Sequence, residues 1–441
     1  MEKKISLSQT VAGIIIILAL FALGMYVGKL NAKMPMFLLA GFGLGYALTR
    51  SRYGFAGGVK RIYIRGEGSL TKAIFVLLII TAIIFMGVQW KAQAGGAVPA
   101  YLAQQGEKII PGTQNVYFTN LATIIGGFIF GVGMMLAGGC GSGTLSDFGE
   151  GQGRAFIAFI FFVLFAAPGH WARQVFDRTA VGKIGYRLHI PQAIGYVPAL
   201  IITILLIGLM YWGVLRYEAY RKRTGTYKDP KGDYEDFEQP LPDTLPRTLF
   251  SYATYHKLFV ERWSFMVGTF VLAAFAVFVM VTTNKPWGVS SPLVTLDVAI
   301  LQKLGITFSP ENFGGILKKV NGGLLADGGT VRNIGTFFGC MVAFLLANRF
   351  KVDFNFRFTD ACYYAVGGAM LGFGSRFAYG CNIGAMYSAI TSFSFSGWIF
   401  LISMALGGVA GMLIFAGKVN ILPKLNLRCQ IEQNRTQAQK K

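Results

Sequence analysis

Apolar runs of bilayer-spanning length recur from residue 11 to residue 416 of this 441-residue chain, and that recurrence excludes a water-soluble globule. A hydrocarbon core about 30 Å thick takes roughly 20 apolar residues per straight helical crossing. Charged residues make up only 14% of the chain, where soluble domains carry about 25%. The expected fold class is an all-α polytopic membrane protein. Ten spans are read, near 11–28, 36–49, 73–90, 118–137, 155–168, 192–215, 263–281, 333–347, 361–374 and 397–416. Several are too short for a straight crossing, which predicts interrupted or re-entrant helices. The first lacks a small-residue cleavage site before polar sequence, so it reads as a retained signal anchor with its N-terminus inside.

The net charge of +21 is a topology signal. Bases flank apolar spans with no interleaved stacking motif, so nucleic acid is not expected as a partner. Arg50, Arg52, Lys60, Arg61, Arg65 and Lys72 face Glu67 alone, which places residues 50–72 on the cytoplasmic side of an inner (plasma) membrane. Both termini fall on that side under a ten-span count. Arg173, Arg178, Lys183 and Arg187 disagree, because their loop would face outward. Residues 216–262, polar and proline-bearing, read as a solvated cytoplasmic linker. It separates transmembrane halves at 1–215 and 263–417, and a basic cytoplasmic tail follows at 418–441. The stretch 282–332 is long enough to hold short surface helices. No cofactor or metal is expected. Five cysteines show no CxxC or zinc spacing, and His170, His189 and His256 lie in predicted connecting segments, which leaves no haem ligand.

The most informative feature is an internal duplication. Residues 126–143 read GGFIFGVGMMLAGGCGSG and residues 367–384 read GGAMLGFGSRFAYGCNIG. Eight of eighteen positions are identical without a gap, including Gly126/Gly367, Gly131/Gly372, Gly133/Gly374, Gly139/Gly380, Cys140/Cys381 and Gly143/Gly384. Glycine richness inflates such matches, but composition does not set two of five cysteines between the same flanking glycines. The copies lie in the fourth and ninth spans, an odd number apart, so they should cross in opposite directions as two inverted, pseudo-symmetric halves. Solute paths in such folds run near the midplane, where interrupted helices present their ends. Spans two and eight also share a glycine-rich run followed by bases, but an even separation does not fit inversion.

The motif has chemistry suited to an anion. Gly139, Gly141, Gly143, Gly380 and Gly384 let the backbone unwind and approach a ligand, and irregular backbone at membrane depth must line a cavity or be buried in protein. Freed amides at a helix start favour negative charge. Cys140 and Cys381 add polarizable sulfur and weak S–H donors, which suits a chalcogen-bearing anion. Arg376, five residues before Cys381, is a functional candidate as an intramembrane base, although it could equally snorkel to the interface. Asn382, Ser142 and Thr144 could bond a solute or satisfy freed backbone. Cys340, Cys362 and Cys429 read as ordinary packing or tail residues, and Asp147, Glu150 and Arg154 as a solvated helix cap.

The paired motifs LAGGCGSGTL (136–145) and FAYGCNIGAM (377–386), with RSRYGFAGGVKR (50–61), resemble the YeeE/YedE family of sulfur-transport membrane proteins. DFGEGQGRA (147–155) and SRFAYGCNIGAMYSAI (375–390) look closest to its YedE branch, linked to selenium metabolism. The resemblance implies an hourglass-shaped inverted repeat that takes up thiosulfate or a related sulfur or selenium anion. It also implies that cysteines at the waist relay the anion by S–H hydrogen bonds, a role that falls on Cys140 and Cys381. A further family cysteine would fall where this chain has Gly54, between Tyr53 and Phe55. A small cytoplasmic sulfur-carrier protein is an expected partner on the same ground. Three functions stand: a transporter, a thiol redox or sulfur-transfer protein using the same two cysteines, and a scaffold whose glycines serve packing alone. No nucleotide-binding motif points to direct ATP drive.

Overall fold

The computed structural model describes residues 7–229, 234–242, 248 and 251–424. The expected tail beyond residue 424, with Cys429, and parts of the linker lie outside the described residues. The first half holds helices α1 (Leu7–Leu30), α2 (Met34–Ser51), α3 (Phe55–Arg65), α4 (Ser69–Ala94), α5 (Leu121–Ala137), α6 (Gly141–Gly149), α7 (Gly153–Leu164), α8 (Ala166–Arg178), α9 (Ile190–Ile194) and α10 (Tyr196–Arg223). The second holds α11 (Tyr252–Tyr255), α12 (Phe265–Thr283), α13 (Ser290–Lys303), α14 (Pro310–Asn321), α15 (Gly328–Leu346), α16 (Phe358–Phe377), α17 (Ser388–Thr391) and α18 (Phe395–Phe415). Among the described residues the only strands are two-residue partners, Thr119–Asn120 and Gly185–Tyr186. The chain is an all-α polytopic membrane protein.

Each of the ten apolar runs is helical, and eight helical stretches are long and apolar enough to cross a bilayer. The other two runs became α2 and α16, whose glycines and charged residues dilute the apolar signal. Protein rather than lipid surrounds much of both. α1 and α10 do the opposite, turning Leu18, Phe21, Leu205 and Leu209 outward, as lipid contact requires.

Most short runs proved to be intact helices prolonged by polar residues. Asn333, for example, lies inside α15, which opens at Asp327, whose side chain accepts the Thr330 N–H. True interruptions follow α5 and α16, and α7 passes into α8 at Phe165.

The two copies of the glycine motif cross face to face. A methyl group built on Gly374 would lie 2.7 Å from the Gly126 carbonyl oxygen, and one on Gly133 2.9 Å from that of Gly367. Because Gly367 repeats Gly126 and Gly374 repeats Gly133, each contact is the image of the other, and α5 and α16 run antiparallel. The relation extends outward. Gly131 of α5 faces the Met404 carbonyl of α18, as Gly372 of α16 faces the Phe162 carbonyl of α7. Small residues that let backbones meet are how membrane helices gain dispersion contact.

α2 and α15 instead run parallel, with Gly41 against the Arg332 carbonyl, Gly45 against Thr336 and Gly339 against Phe42. Their shared glycine run therefore serves this parallel contact, in keeping with their even separation.

Several expectations need correction. His170 is not in a connecting segment: it lies within α8 and bonds the Asn312 carbonyl. Arg173 is no loop residue either. It is fully buried in α8, where it donates to Asp177, to the Phe377 carbonyl and to the Phe118 carbonyl. A buried, paired arginine is no guide to sidedness, which removes one of the four bases that disagreed with the topology. The stretch 282–332 holds α13 and α14, and α13 is largely buried, packing on α7 and α8. α10 runs beyond residue 215 to Arg223, with Glu218 held by Lys72 and the Gly68 N–H.

Candidate functional site

Both repeat copies break in the same way. After α5, Gly138 takes φ +78°, and Cys140 is extended at φ −82°, ψ −176°. After α16, Tyr379, the counterpart of Gly138, takes φ +67°, and Cys381 is extended at φ −100°, ψ −170°. A left-handed tyrosine is costly, of order 1–2 kcal/mol. Its hydroxyl donates to Asp177, and its ring stacks on Tyr117 and carries the Arg173 guanidinium 4.0 Å from its centre. An arginine also closes each break from outside. Arg154 bonds both the Ala137 carbonyl and Asp147, so the end of α6 returns beside the end of α5. Arg173 holds the Phe377 carbonyl at the end of α16.

The two breaks meet. A methyl group built on Gly141 would lie 3.2 Å from the Cys381 Cβ, so residues 140–141 and 381 touch across the pseudo-two-fold axis. Both cysteines are fully buried. The Cys140 thiol lies 3.3 Å from the Ser142 hydroxyl and accepts the Gly143 N–H at 3.4 Å, whereas Cys381 makes no such capping bond. Downstream the copies diverge: α6 is a regular helix, while Asn382–Tyr387 forms a wide π-type turn. Asn382 donates to the Met404 sulfur and leaves its Oδ1 without a partner. The Gly384 carbonyl accepts from Asn115, and Gly139 and Gly380 pack against the turn that follows each cysteine. Cys340 is a packing residue, donating to the Gly45 carbonyl and Ser146, and Cys362 is exposed.

Two cavities approach this contact from opposite ends of the bundle. The first, about 350 Å³, reaches Gly139, Cys140 and Gly143. The second, about 370 Å³, reaches Arg376, Gly380 and Gly384. α2 spans the distance between them, from Phe37 in the second to Leu48 in the first.

Their charges differ. The first is balanced, with Arg52, Arg61, Arg154 and Arg262 against Asp147, Glu150, Glu235 and Glu238. The second sets Lys285, Lys319, Arg332 and Arg376 against Asp327 alone. Arg376 therefore does not snorkel; it is 6% exposed and faces a cavity. Nor is Glu150 part of a solvated cap. Glu150 is buried and accepts from Thr49 and Arg52.

Sequence reasoning missed two groups. Arg332 immediately precedes an apolar run, which was the available signal. Glu238 gave none, because its partners Arg52 and Arg349 are 186 and 111 residues away. This linker carboxylate roofs the first cavity. Burial pushes its pKa up, but Arg52 and Arg349 outweigh that and hold it below the usual carboxylate range. A carboxylate depressed on folding stabilises the docked segment above the ordinary pKa of about 4, and that contribution is lost as pH falls through the lower folded value. Amide hydrogen exchange at residues 234–242 should therefore stay protected at neutral pH and lose protection below about pH 4. Glu238→Gln should show weakened protection already at pH 7.

A two-fold pair of broken helices, each carrying a cysteine between opposed polar cavities, is the setting for the comparisons with known proteins. The family described as Sulphur transport matches residues 50–410. The chain belongs to this family. It is similar to the thiosulfate transporter TsuA of Escherichia coli (strain K12), 27% identical over 379 residues that cover 84% of this chain and 91% of the relative. TsuA of Spirochaeta thermophila is 24% identical with 84% and 95% covered. The probable transporter YedE of Escherichia coli (strain K12) is 24% identical over 178 residues, only 40% of this chain and 43% of the relative. The similarity to the thiosulfate transporters thus extends over about twice as much of this sulphur transport protein as that to YedE.

Proposed function

We propose that the protein carries a small sulfur-containing oxyanion of the thiosulfate class into the cell, past Cys140 and Cys381. The observation that carries this reading is the contact between the two broken motifs where the opposed cavities converge. An anion at that waist meets S–H donors, freed amides and the Asn382 side chain. Hydrogen bonds from sulfur are weak, which suits a relay that must release what it holds.

By the bias of short basic loops the first cavity is cytoplasmic, in an inner membrane with both termini inside. The second, electropositive cavity then faces outward and gathers the anion. Selenium analogues fit the same chemistry, and a small thiol-bearing carrier protein on the cytoplasmic side is the proposed acceptor. Uptake of labelled thiosulfate into reconstituted vesicles, with sulfate and selenite in competition, tests the reading. Saturable uptake is expected, and vesicles no more permeable than protein-free lipid would defeat it.

The departure at Gly54 gives a separate test. Gly54 lines the first cavity, and a Cβ there would have nothing within 4 Å. Its φ of −108° suits any residue. Gly54→Cys should fold normally and raise thiosulfate uptake by adding an S–H donor. Unchanged or slower uptake by a stable variant would mean that this position does not contribute to the path.

The closeness of the two motifs also favours a second reading, in which Cys140 and Cys381 form a thiol redox pair. A Cys140–Cys381 disulfide accumulating during turnover would support it, and uptake retained after Cys→Ser substitution would remove it.

A further inference from the structure

The outward cavity contains more than a diffuse positive field. Arg332, near the start of α15, and Arg376, on the last turn of α16, are 5% and 6% exposed and line the same cavity. Each is pinned by one nitrogen to the turn entering α13: Arg332 donates to the Gly288 carbonyl and Arg376 to the Ser291 hydroxyl. In each the buried Nε–H has no partner. Trp287, one residue before Gly288, adds an indole N–H that is also buried and unpartnered. Among the described residues no carboxylate lies within ion-pair distance of Arg332 or Arg376. Asp327 shares the cavity and attracts Arg332 through space, but its direct partners are Lys319 and Thr330.

A buried guanidinium without a direct ion-pair partner carries a large desolvation cost. A bound anion would offset that cost. Guanidinium forks match the oxygens of tetrahedral oxyanions, which accept paired N–H bonds. Arg376 also lies within electrostatic reach of Tyr117, Tyr379 and Cys381, so an anion held here is next to the waist.

We propose that Arg332 and Arg376, with the Trp287 indole, form an oxyanion subsite that takes a divalent tetrahedral chalcogen oxyanion and delivers it to Cys381. This rests on the transport reading for its purpose but not for its chemistry. The arginines hold the oxygen end, and the terminal chalcogen is left for the cysteine.

Equilibrium binding of radiolabelled thiosulfate to the protein in lipid nanodiscs tests the subsite. Arg376→Gln should weaken binding roughly ten- to hundredfold, the size of a lost charged hydrogen bond. Cys381→Ala should weaken binding much less than Arg376→Gln, because the arginines hold the oxygen end. Because Arg332 also holds backbone, Arg332→Lys is the safer change there. It keeps the charge, removes the fork and should still weaken binding. Thermal unfolding of each variant confirms a native fold. Wild-type affinity in both folded arginine variants would overturn the subsite. If the arginine dependence appears but wild-type vesicles show no flux, the transport reading fails and the subsite stands. If flux is normal and the arginines do not matter, the subsite alone fails.

Discussion

Replacing either Cys140 or Cys381 with alanine should reduce thiosulfate uptake by roughly tenfold to a hundredfold, the loss of a hydrogen bond to a charged group, while leaving insertion and thermal stability nearly unchanged. The sulfurs are small, buried and deep in the waist, so removing one deletes a donor without disturbing the surrounding helices. Cys140 differs from Cys381 in one respect. Its sulfur also accepts the Gly143 N–H and so caps α6. A small loss of stability is therefore expected at position 140 and none at 381. Serine separates roles further: a hydroxyl can donate to an anion but cannot carry sulfur or electrons. Cys381→Ser should retain more uptake than Cys381→Ala. Equal and complete loss in both would favour the redox reading.

Gly374→Val should have the largest structural effect. A Cβ there falls 2.7 Å from both the Gly126 carbonyl oxygen and the Phe130 nitrogen of α5, and 3.1 Å from the Phe130 Cα. All three are backbone atoms within a helix, which cannot turn aside as a side-chain tip can. Overpacking of side chains alone costs about 1–3 kcal/mol. Here two helices must separate along the crossing that aligns the cysteines. The variant should express poorly or unfold at a markedly lower temperature, measured by thermal melting in detergent. Gly384→Ala is the matched control. A Cβ at Gly384 meets nothing within 4 Å, so that change should leave stability unaffected. Equal stability of the two variants would contradict the close backbone crossing of α5 and α16.

The glycine register was legible in the sequence because duplication preserves spacing, and the same spacing sets α5 against α16. The positions of Cys140 and Cys381 followed from it. Arg376 was legible as a base inside an apolar run. Its orientation was not, because snorkelling and cavity lining look alike in one dimension.

Span lengths were under-read where polar residues continue a helix that faces protein. Asp360 and Arg376 dilute the apolar signal of α16 without shortening it. Glu238 was invisible because its role depends on contacts with residues more than a hundred positions away. The left-handed turn at Tyr379 was hidden too. Gly138 marks that position in the first copy, but in the second a tyrosine adopts it through stacking and a hydrogen bond, and these are tertiary.

Diffraction at the selenium edge from crystals grown with selenosulfate, in which selenium replaces the terminal sulfur of thiosulfate, would locate the chalcogen directly. Selenium should appear between the Arg332–Arg376 pair and Cys381, or at the waist between Cys381 and Cys140. Ordered selenium found only outside both cavities would contradict a path that runs past the two cysteines.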